Sequence, residues 1–177
     1  MILLTGFGPF GEVDDNPSAR LVRALHGAQL GGVPVRGLVL PVSYTRGPAA
    51  AIEAARTLRA QAVIGFGVAV RRSRIEVESR AVAACVGDDI DGQCPPCPAP
   101  GPATRAPTLD AAHLAACLGA AVSTDAGTYV CNAWLYRVPA ALDVPAGFIH
   151  IPPQGVDPDQ VRRGLEAWWT ARSTAHP

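Results

Sequence analysis

The sequence predicts an α/β fold: a three-layer αβα sandwich in which helices cover both faces of a mixed, mostly parallel, twisted sheet. Short apolar runs typical of buried strands alternate along the chain with segments whose apolar residues recur at helical spacing. Hydrophobic residues make up 49% of the composition and charged residues 17%, which is enough apolar material for a packed core. At 177 residues the chain is expected to form a single domain spanning residues 1–177.

The first half of the chain alternates strand and helix. A glycine-rich loop follows the first strand, and then Asn16, a good N-cap, precedes Pro17, which suits the first helical position. Gly37 interrupts the second strand. The pattern predicts strands over residues 2–5, 33–42 and 62–66, and helices from residue 17 and over 48–59.

The second half continues the alternation around one long irregular segment. Residues 88–107 contain six prolines and few large apolar side chains, so we expect a long exposed loop, a kind of segment that is often functional. The pattern predicts strands over residues 75–85, 120–123 and 146–151, and helices over 109–118, from close to Cys131, and over 157–172.

The charged residues and cysteines exclude several functional classes. All 15 basic residues are arginines, so the chain has neither a Schiff-base lysine nor a P-loop lysine. The 15 acidic residues balance them, so we expect no nucleic-acid or membrane partner. No apolar run reaches the roughly 18 residues of a membrane helix, and the apolar start is too short for a signal peptide. Five cysteines, an odd number, favour a reducing, cytoplasmic location.

A glycine motif follows the first strand. Residues 6–11 match G-x-G-x-x-G, which in isolation suggests a dinucleotide-binding oxidoreductase. The helix cap at Asn16 comes too late for that motif, however, and Phe7, Pro9 and Phe10 crowd the turn. No acidic residue follows at roughly 20 residues, the position that would bind the ribose. A plain glycine turn with core phenylalanines is therefore the better interpretation.

Cys131 has the most reactive context of the five cysteines. It opens a predicted helix, where free backbone amides and the helix dipole would favour a thiolate by about 0.3–1 kcal/mol. The same amides could bind an oxyanion. A buried structural cysteine is the equally weighted alternative.

His150 and two glutamates supply candidate partners for a nucleophile. His150 ends the strand predicted over residues 146–151, at the edge where an α/β sheet presents functional groups. Glu76 and Glu78 point to one face of their strand, and a carboxylate among apolar neighbours needs a partner such as His150. Local chemistry does not choose between the two acids.

Cys94 and Cys97 form a C-x-x-C pair that suits zinc or redox chemistry. The pair lies among prolines, and Cys85 and Cys117 are isolated, so a chance occurrence in the loop is the better interpretation. Arg71, Arg72 and Arg74 form a basic cluster too small for a nucleic-acid site. We expect no metal and no cofactor.

Three blocks of sequence resemble the pyroglutamyl peptidase I family of cysteine peptidases. They are T-G-F-G-P-F-G at residues 5–11 with N-P-S at 16–18, A-G-T-Y-V-C-N at 126–132, and G-F-I-H-I-P at 147–152. The resemblance spans most of the chain, and it implies hydrolysis of the N-terminal pyroglutamyl residue of peptides through a thioester. It also implies a homo-oligomer, a dimer or tetramer.

The resemblance assigns roles to particular residues. It implies Cys131 as nucleophile, His150 as base and Glu78, in I-E-V-E, as the third triad member. The substrate-binding residues it implies, which would hold the lactam ring or line its pocket, are Phe7, Phe10, Val68, Tyr129 and Val130.

The chain also departs from the family pattern. Many members have glutamine at the position of Val68, glycines at Val70 and Arg71, and arginine directly after the acid, where this chain has Ser79. These departures leave the triad intact but change the pocket. A catalytically inactive α/β interaction module is the alternative that they support.

Overall fold

The structure, a computed structural model, describes residues 1–11 and 14–174. Apart from one short 3-10 helix at Pro139–Ala141, its regular elements are strands and α-helices. The strands are β1 (Ile2–Phe7), β2 (Gln29–Leu30), β3 (Val33–Leu40), β4 (Ala62–Val68), β5 (Glu76–Glu78), β6 (Ala81–Val82), β7 (Thr104–Arg105), β8 (Ala121–Ser123) and β9 (Ala146–Ile151). The helices are α1 (Pro17–Ala24), α2 (Arg46–Thr57), α3 (Ala111–Leu118), α4 (Val130–Arg137) and α5 (Pro158–Thr174).

Seven strands form one sheet in the order β2-β3-β1-β4-β9-β5-β8. The four central strands β3, β1, β4 and β9 are parallel to one another. β5 runs antiparallel to β9 but parallel to β8, and β2 is antiparallel to β3. The prediction of a mixed, mostly parallel sheet is confirmed.

Alternate residues of the strands point to opposite helical layers. In β1, Ile2 and Leu4 join the apolar cluster that includes residues of α1, α3 and α5. Leu3 joins the other cluster, with residues of α2 and α4. Because successive side chains of a strand face opposite sides, a strand buried on both faces reads as a continuous apolar run. Helices therefore cover both faces of the sheet, as predicted.

The single strand predicted over residues 75–85 is wrong. The segment forms β5 in the main sheet and then β6, which pairs with β7 in a separate two-stranded sheet. At the break, the backbone amide and the hydroxyl of Ser79 both donate to the carbonyl of Ser123, each at 2.8 Å. This contact takes Ser79 out of the ladder with β9 and turns the chain toward β6.

The glycine motif serves the packing of α1 against the sheet. A Cβ atom on Gly6 would lie 2.3 Å from the backbone oxygen of Ser18, so only glycine lets the strand and helix approach so closely. The Asn16 side chain accepts a bond from the Ser18 amide at 3.0 Å, and the Ser18 hydroxyl accepts one from the Phe7 amide at 3.0 Å. These polar groups, at the two ends of the loop, are thus bonded within the protein, in agreement with the glycine-turn interpretation.

The proline-rich loop over residues 88–107 is mostly exposed, as predicted, but it is anchored at its start. The buried carboxylate of Asp89 accepts hydrogen bonds from three backbone amides, those of Tyr44, Asp91 and Gln93. Tyr44 also donates its hydroxyl to the chain just before the loop, with Val86 O and Gly87 O each 2.9 Å away. The start of the loop is therefore held against the residues that lead into α2.

Candidate active site

A cavity of about 390 Å³ opens where β4 and β9 end beside the start of α4. It contains both residues that the sequence singles out as nucleophile and base. Among its lining residues are Val68, Arg72, Asp125, Tyr129, Cys131 and His150. The carboxyl ends of parallel strands are the usual place for ligand sites in open α/β sheets.

Cys131 is the second residue of α4, and its sulfur lies against β4. A Cβ atom placed on Gly67 would be 2.6 Å from Cys131 Sγ, so the glycine makes room for the sulfur. Gly67 is also the register partner of His150 in the β4–β9 ladder. The sulfur and the imidazole are therefore positioned from the same point of the sheet.

The thiol of Cys131 is neutral in the free site. Burial raises its pKa to about 12, and the negative charge of Glu78 adds to the effect. A backbone hydrogen bond at the start of the helix does lower the pKa, the direction expected from the sequence, but burial outweighs it, so the thiolate is not the favoured form in the free protein. The dipole of an eight-residue helix does not offset the loss of water around the sulfur.

His150 and Glu78 form a buried pair. His150 Nδ1 lies 2.7 Å from Glu78 Oε1, and because a carboxylate can only accept, Nδ1 donates the proton. In the antiparallel β5–β9 ladder Glu78 pairs with Phe148, which makes His150 its diagonal neighbour on one face of the sheet. Nε2 is then left to act as base toward the cavity.

The pKa of Glu78 lies below its ordinary value even though the residue is buried. Burial favours the neutral acid, but hydrogen bonds from His150 and other donors outweigh burial and hold the carboxylate charged. Glu76 is partly exposed and bonds to arginines instead. Of the two glutamates, Glu78 is thus the one in contact with the histidine.

Arg72 is a site residue that the sequence analysis missed. Its guanidinium bonds to Glu78 Oε1 and lies 2.9 Å from Glu76 Oε2. It also donates to Ser123 Oγ at 3.1 Å and to the carbonyl oxygen of Asp125. In the sequence, Arg72 stands out only as part of a basic cluster. Its position six residues before Glu78 is the one signal that could have pointed to this contact.

Asn132 ties the nucleophile helix to the segment that follows Glu78. Its buried side chain accepts a hydrogen bond from the Val82 amide at 2.8 Å and donates to Val82 O and Ala84 O, both at 2.9 Å. The residue after the nucleophile therefore holds β6 against α4. In the sequence, Asn132 stands out only as the last residue of the A-G-T-Y-V-C-N block, which does not show this role.

The substrate-binding residues implied by the resemblance occupy different places. Tyr129 and Val68 line the cavity. Phe10 is partly buried, and the centroid of its ring lies 6.3 Å from that of the Tyr129 ring. Phe7 is buried, and its ring contacts that of Phe148. Val130 is buried in the apolar cluster shared with α2.

The remaining cysteines lie outside this cavity. Cys94 Sγ is 4.0 Å from the backbone oxygen of Cys85, and Cys97 Sγ donates to Ala99 O at 2.8 Å. All five cysteines are free thiols. Within residues 1–11 and 14–174, no three histidine, cysteine or acidic side chains group in a way that could hold a metal ion.

A family model described as pyroglutamyl peptidase matches residues 1–164. The chain belongs to the pyroglutamyl peptidase family. Two curated relatives carry the name pyrrolidone-carboxylate peptidase. The one from Halalkalibacterium halodurans is 36% identical over 167 residues, covering 86% of this chain and 83% of that protein. The one from Klebsiella pneumoniae is 34% identical over 192 residues, covering 99% and 82%.

Solved structures of pyroglutamyl peptidases share the fold. Pyroglutamyl peptidase I from Bacillus amyloliquefaciens superposes with a TM-score of 0.85 at 29% identity, over 96% of this chain and 93% of that one. Pyrrolidone carboxyl peptidase from Thermococcus litoralis gives 0.83 at 26% identity, over 96% and 91%. The family and fold implied by the three sequence blocks are confirmed.

Proposed function

We propose that this protein is a cysteine exopeptidase that hydrolyses the N-terminal pyroglutamyl residue from peptides. The observation that carries the proposal is one cavity, in a chain of this family, that contains Cys131 and a His150 already bonded to Glu78. The three residues have the roles of nucleophile, base and orienting acid in a cysteine-peptidase triad.

The neutral thiol decides how the reaction begins. Because burial keeps the sulfur of Cys131 protonated, His150 Nε2 accepts the thiol proton as the sulfur attacks the pyroglutamyl carbonyl carbon. Glu78 stabilises the imidazolium that forms and keeps the ring in the required orientation. The proton then passes from His150 to the departing amine of the peptide.

The thioester is hydrolysed in the second half of the reaction. His150 takes a proton from water, the hydroxide attacks the thioester carbon, and the proton returns to the sulfur as pyroglutamate leaves. In both halves an oxyanion forms next to the start of α4. The first amides of a helix have no carbonyl partner within the helix, so they are suitable donors for that oxygen.

The pocket suits an uncharged lactam ring. Tyr129 and Val68 present apolar surface beside the nucleophile, and the Phe10 ring contacts that of Tyr129. Tyr129 is fixed further by its hydroxyl, which donates to Asp88 O at 2.9 Å. We propose that Phe7, Phe10, Val68, Tyr129 and Val130 shape the pocket, with Phe7 and Val130 acting from the buried layer.

Release of a chromophore from pyroglutamyl anilide tests the proposal. We expect turnover by the native chain and none above background by Cys131→Ala. Prolyl anilide, which lacks the lactam carbonyl, should be a poor substrate of the native chain. Cys117→Ala, a change in α3, is the matched control and should retain activity. Turnover by Cys131→Ala close to the native rate would show that the nucleophile is a different group.

We propose that the protein forms a homo-oligomer, a dimer or tetramer, and acts in the cytoplasm. The five free thiols fit a reducing compartment. In the part of the chain that the structure describes, no helix is long and apolar enough to cross a membrane. Light scattering of the purified chain measures the oligomeric state directly, and a monomer at micromolar concentration would contradict the proposal.

A further inference from the structure

We propose that Arg72 is a positioning residue that compensates the carboxylates beside the His150 base and joins them to the turn before the nucleophile. Its kinetic consequence rests on the proposed function, whereas the position and the contacts of Arg72 rest on the geometry alone. Arg72 lines the cavity, yet its guanidinium is engaged by the protein on several sides.

The contacts of Arg72 place a cation directly on the acid of the pair. Its Nη1 bonds to Glu78 Oε1, the same oxygen that accepts from His150 Nδ1. The guanidinium and the imidazole therefore share one carboxylate oxygen. The Arg72 side chain is only 20% exposed and that of Glu78 is fully buried, so water screens this contact little.

Charges from several elements surround His150. β5 contributes Glu78 and also Glu76, which is the register partner of His150. The segment before β5 contributes Arg72, and the segment before α4 contributes Asp125 to the same cavity. Two carboxylates on β5 thus face one histidine, and Arg72 bonds to both of them.

Arg72 compensates the two carboxylates that face the base. Without the guanidinium, the charge of both carboxylates would act on the imidazole alone and would favour a proton on the ring, and a protonated ring cannot accept the thiol proton. With Arg72 in place, part of that charge is already compensated.

Arg72 also reaches the nucleophile side of the cavity. Its Nη2 donates to Ser123 Oγ and to the carbonyl oxygen of Asp125. Asp125 Oδ1 in turn accepts from the Gly127 amide at 2.9 Å, within the turn that leads to Cys131. One side chain therefore connects the strand of the acid to the turn before the nucleophile.

The test compares three substitutions with opposite expected effects. Arg72→Met removes the charge at similar length, Arg72→Lys retains it, and Glu76→Gln removes one of the two carboxylates. Arg74→Met is the control, because Arg74 is exposed and bonds only to Glu76 among these acids. Two profiles are measured against pH: kcat/KM for pyroglutamyl anilide, and the rate of Cys131 alkylation by iodoacetamide.

We expect Arg72→Met to move the acidic limb of both profiles to higher pH, because the charge of the two carboxylates is no longer compensated. Glu76→Gln should move the limb to lower pH by a smaller amount, while Arg72→Lys and Arg74→Met should leave it near its native position. Arg72→Met should also raise KM because the turn before Cys131 loses its anchor. A purely structural role would lower the melting temperature without these opposed shifts.

Two outcomes separate failure of this inference from failure of the proposed function. A folded Arg72→Met whose profiles coincide with the native ones would overturn the inference. If Arg72→Met does not fold, an unmoved limb in Glu76→Gln would overturn it instead. A native chain that does not cleave the anilide would contradict the proposed function, whereas the alkylation profiles would still test Arg72.

Discussion

Glu76 and Glu78 show how two identical residues on one face of a strand acquire different roles. Glu78 is buried and accepts from His150, whereas Glu76 is partly exposed and bonds to Arg72 and Arg74. Alternation along the strand shows that both face one side, but burial depends on segments distant in the sequence. From the sequence, only the family resemblance selects Glu78.

Glu78→Gln should lower kcat/KM by about three orders of magnitude. The amide NH2 can donate to Nδ1 and so select the wrong tautomer of the ring, and a neutral amide does not stabilise the imidazolium. Glu76→Gln should change the rate at optimum pH by much less. Both are measured with pyroglutamyl anilide on protein whose folding is checked by circular dichroism. Equal losses in the two variants would mean that Glu78 is not the orienting acid.

Packing at the level of elements explains what the local pattern could not show. The helix start at Asn16 and the central strands follow from caps and apolar runs, and the structure has them within a few residues. The division of residues 75–85 into β5 and β6 depends instead on Ser123 and Asn132, which are about 50 residues away. Such contacts leave no local signal in the sequence.

Gly6 and Gly8 provide a matched pair for testing the glycine motif. Gly6→Ala should destabilise the fold by several kcal/mol, because the new methyl would meet the Ser18 backbone at 2.3 Å. Gly8→Ala should cost much less, since its nearest contacts would be at 3.5 Å. Urea unfolding of the two variants measures the difference, and similar stabilities would contradict the packing role of Gly6.

At the scale of the whole molecule, several thiol and hydroxyl groups have pKa values well above their ordinary ones. Burial raises the pKa of the Cys85 thiol to about 11 and that of Cys131 to about 12, and it also raises the pKa of the Tyr44 hydroxyl. In the unfolded chain a thiol has its ordinary value of 9.0. Folding is therefore favoured by these groups below that pH, and the contribution is lost as the pH rises through the folded-state values.

We expect the free energy of unfolding to fall between pH 9 and pH 12, as the unfolded chain ionises first. Cys131→Ala should reduce the slope of that fall, while exposed Cys94→Ala should leave it unchanged. Glu78, whose pKa is lowered, acts in the opposite sense. Its contribution to the free energy of unfolding is present above its ordinary pKa of 4.5 and is lost as the pH falls below that value. Urea titrations across this range give the slopes, and a Cys131→Ala slope equal to the native one would contradict the assignment.

We also expect heat to unfold residues 1–177 in one cooperative transition, as the prediction of a single domain requires. Both apolar clusters draw residues from the same central strands β1, β4 and β9, so neither layer can lose its packing alone. Calorimetry measures this, and two separated transitions would show that the chain is divided into independent units.

The site combines residues that precede the long proline-rich segment in the sequence with residues that follow it. Arg72 and Glu78 precede residues 88–107, and Cys131 and His150 follow them. A single cut in this segment would therefore leave the acid on one fragment and the sulfur and imidazole on the other. Neither fragment alone could then turn over substrate. Activity regained on mixing the two fragments would be proportional to the number of reassembled molecules, so the chain could serve as a complementation reporter.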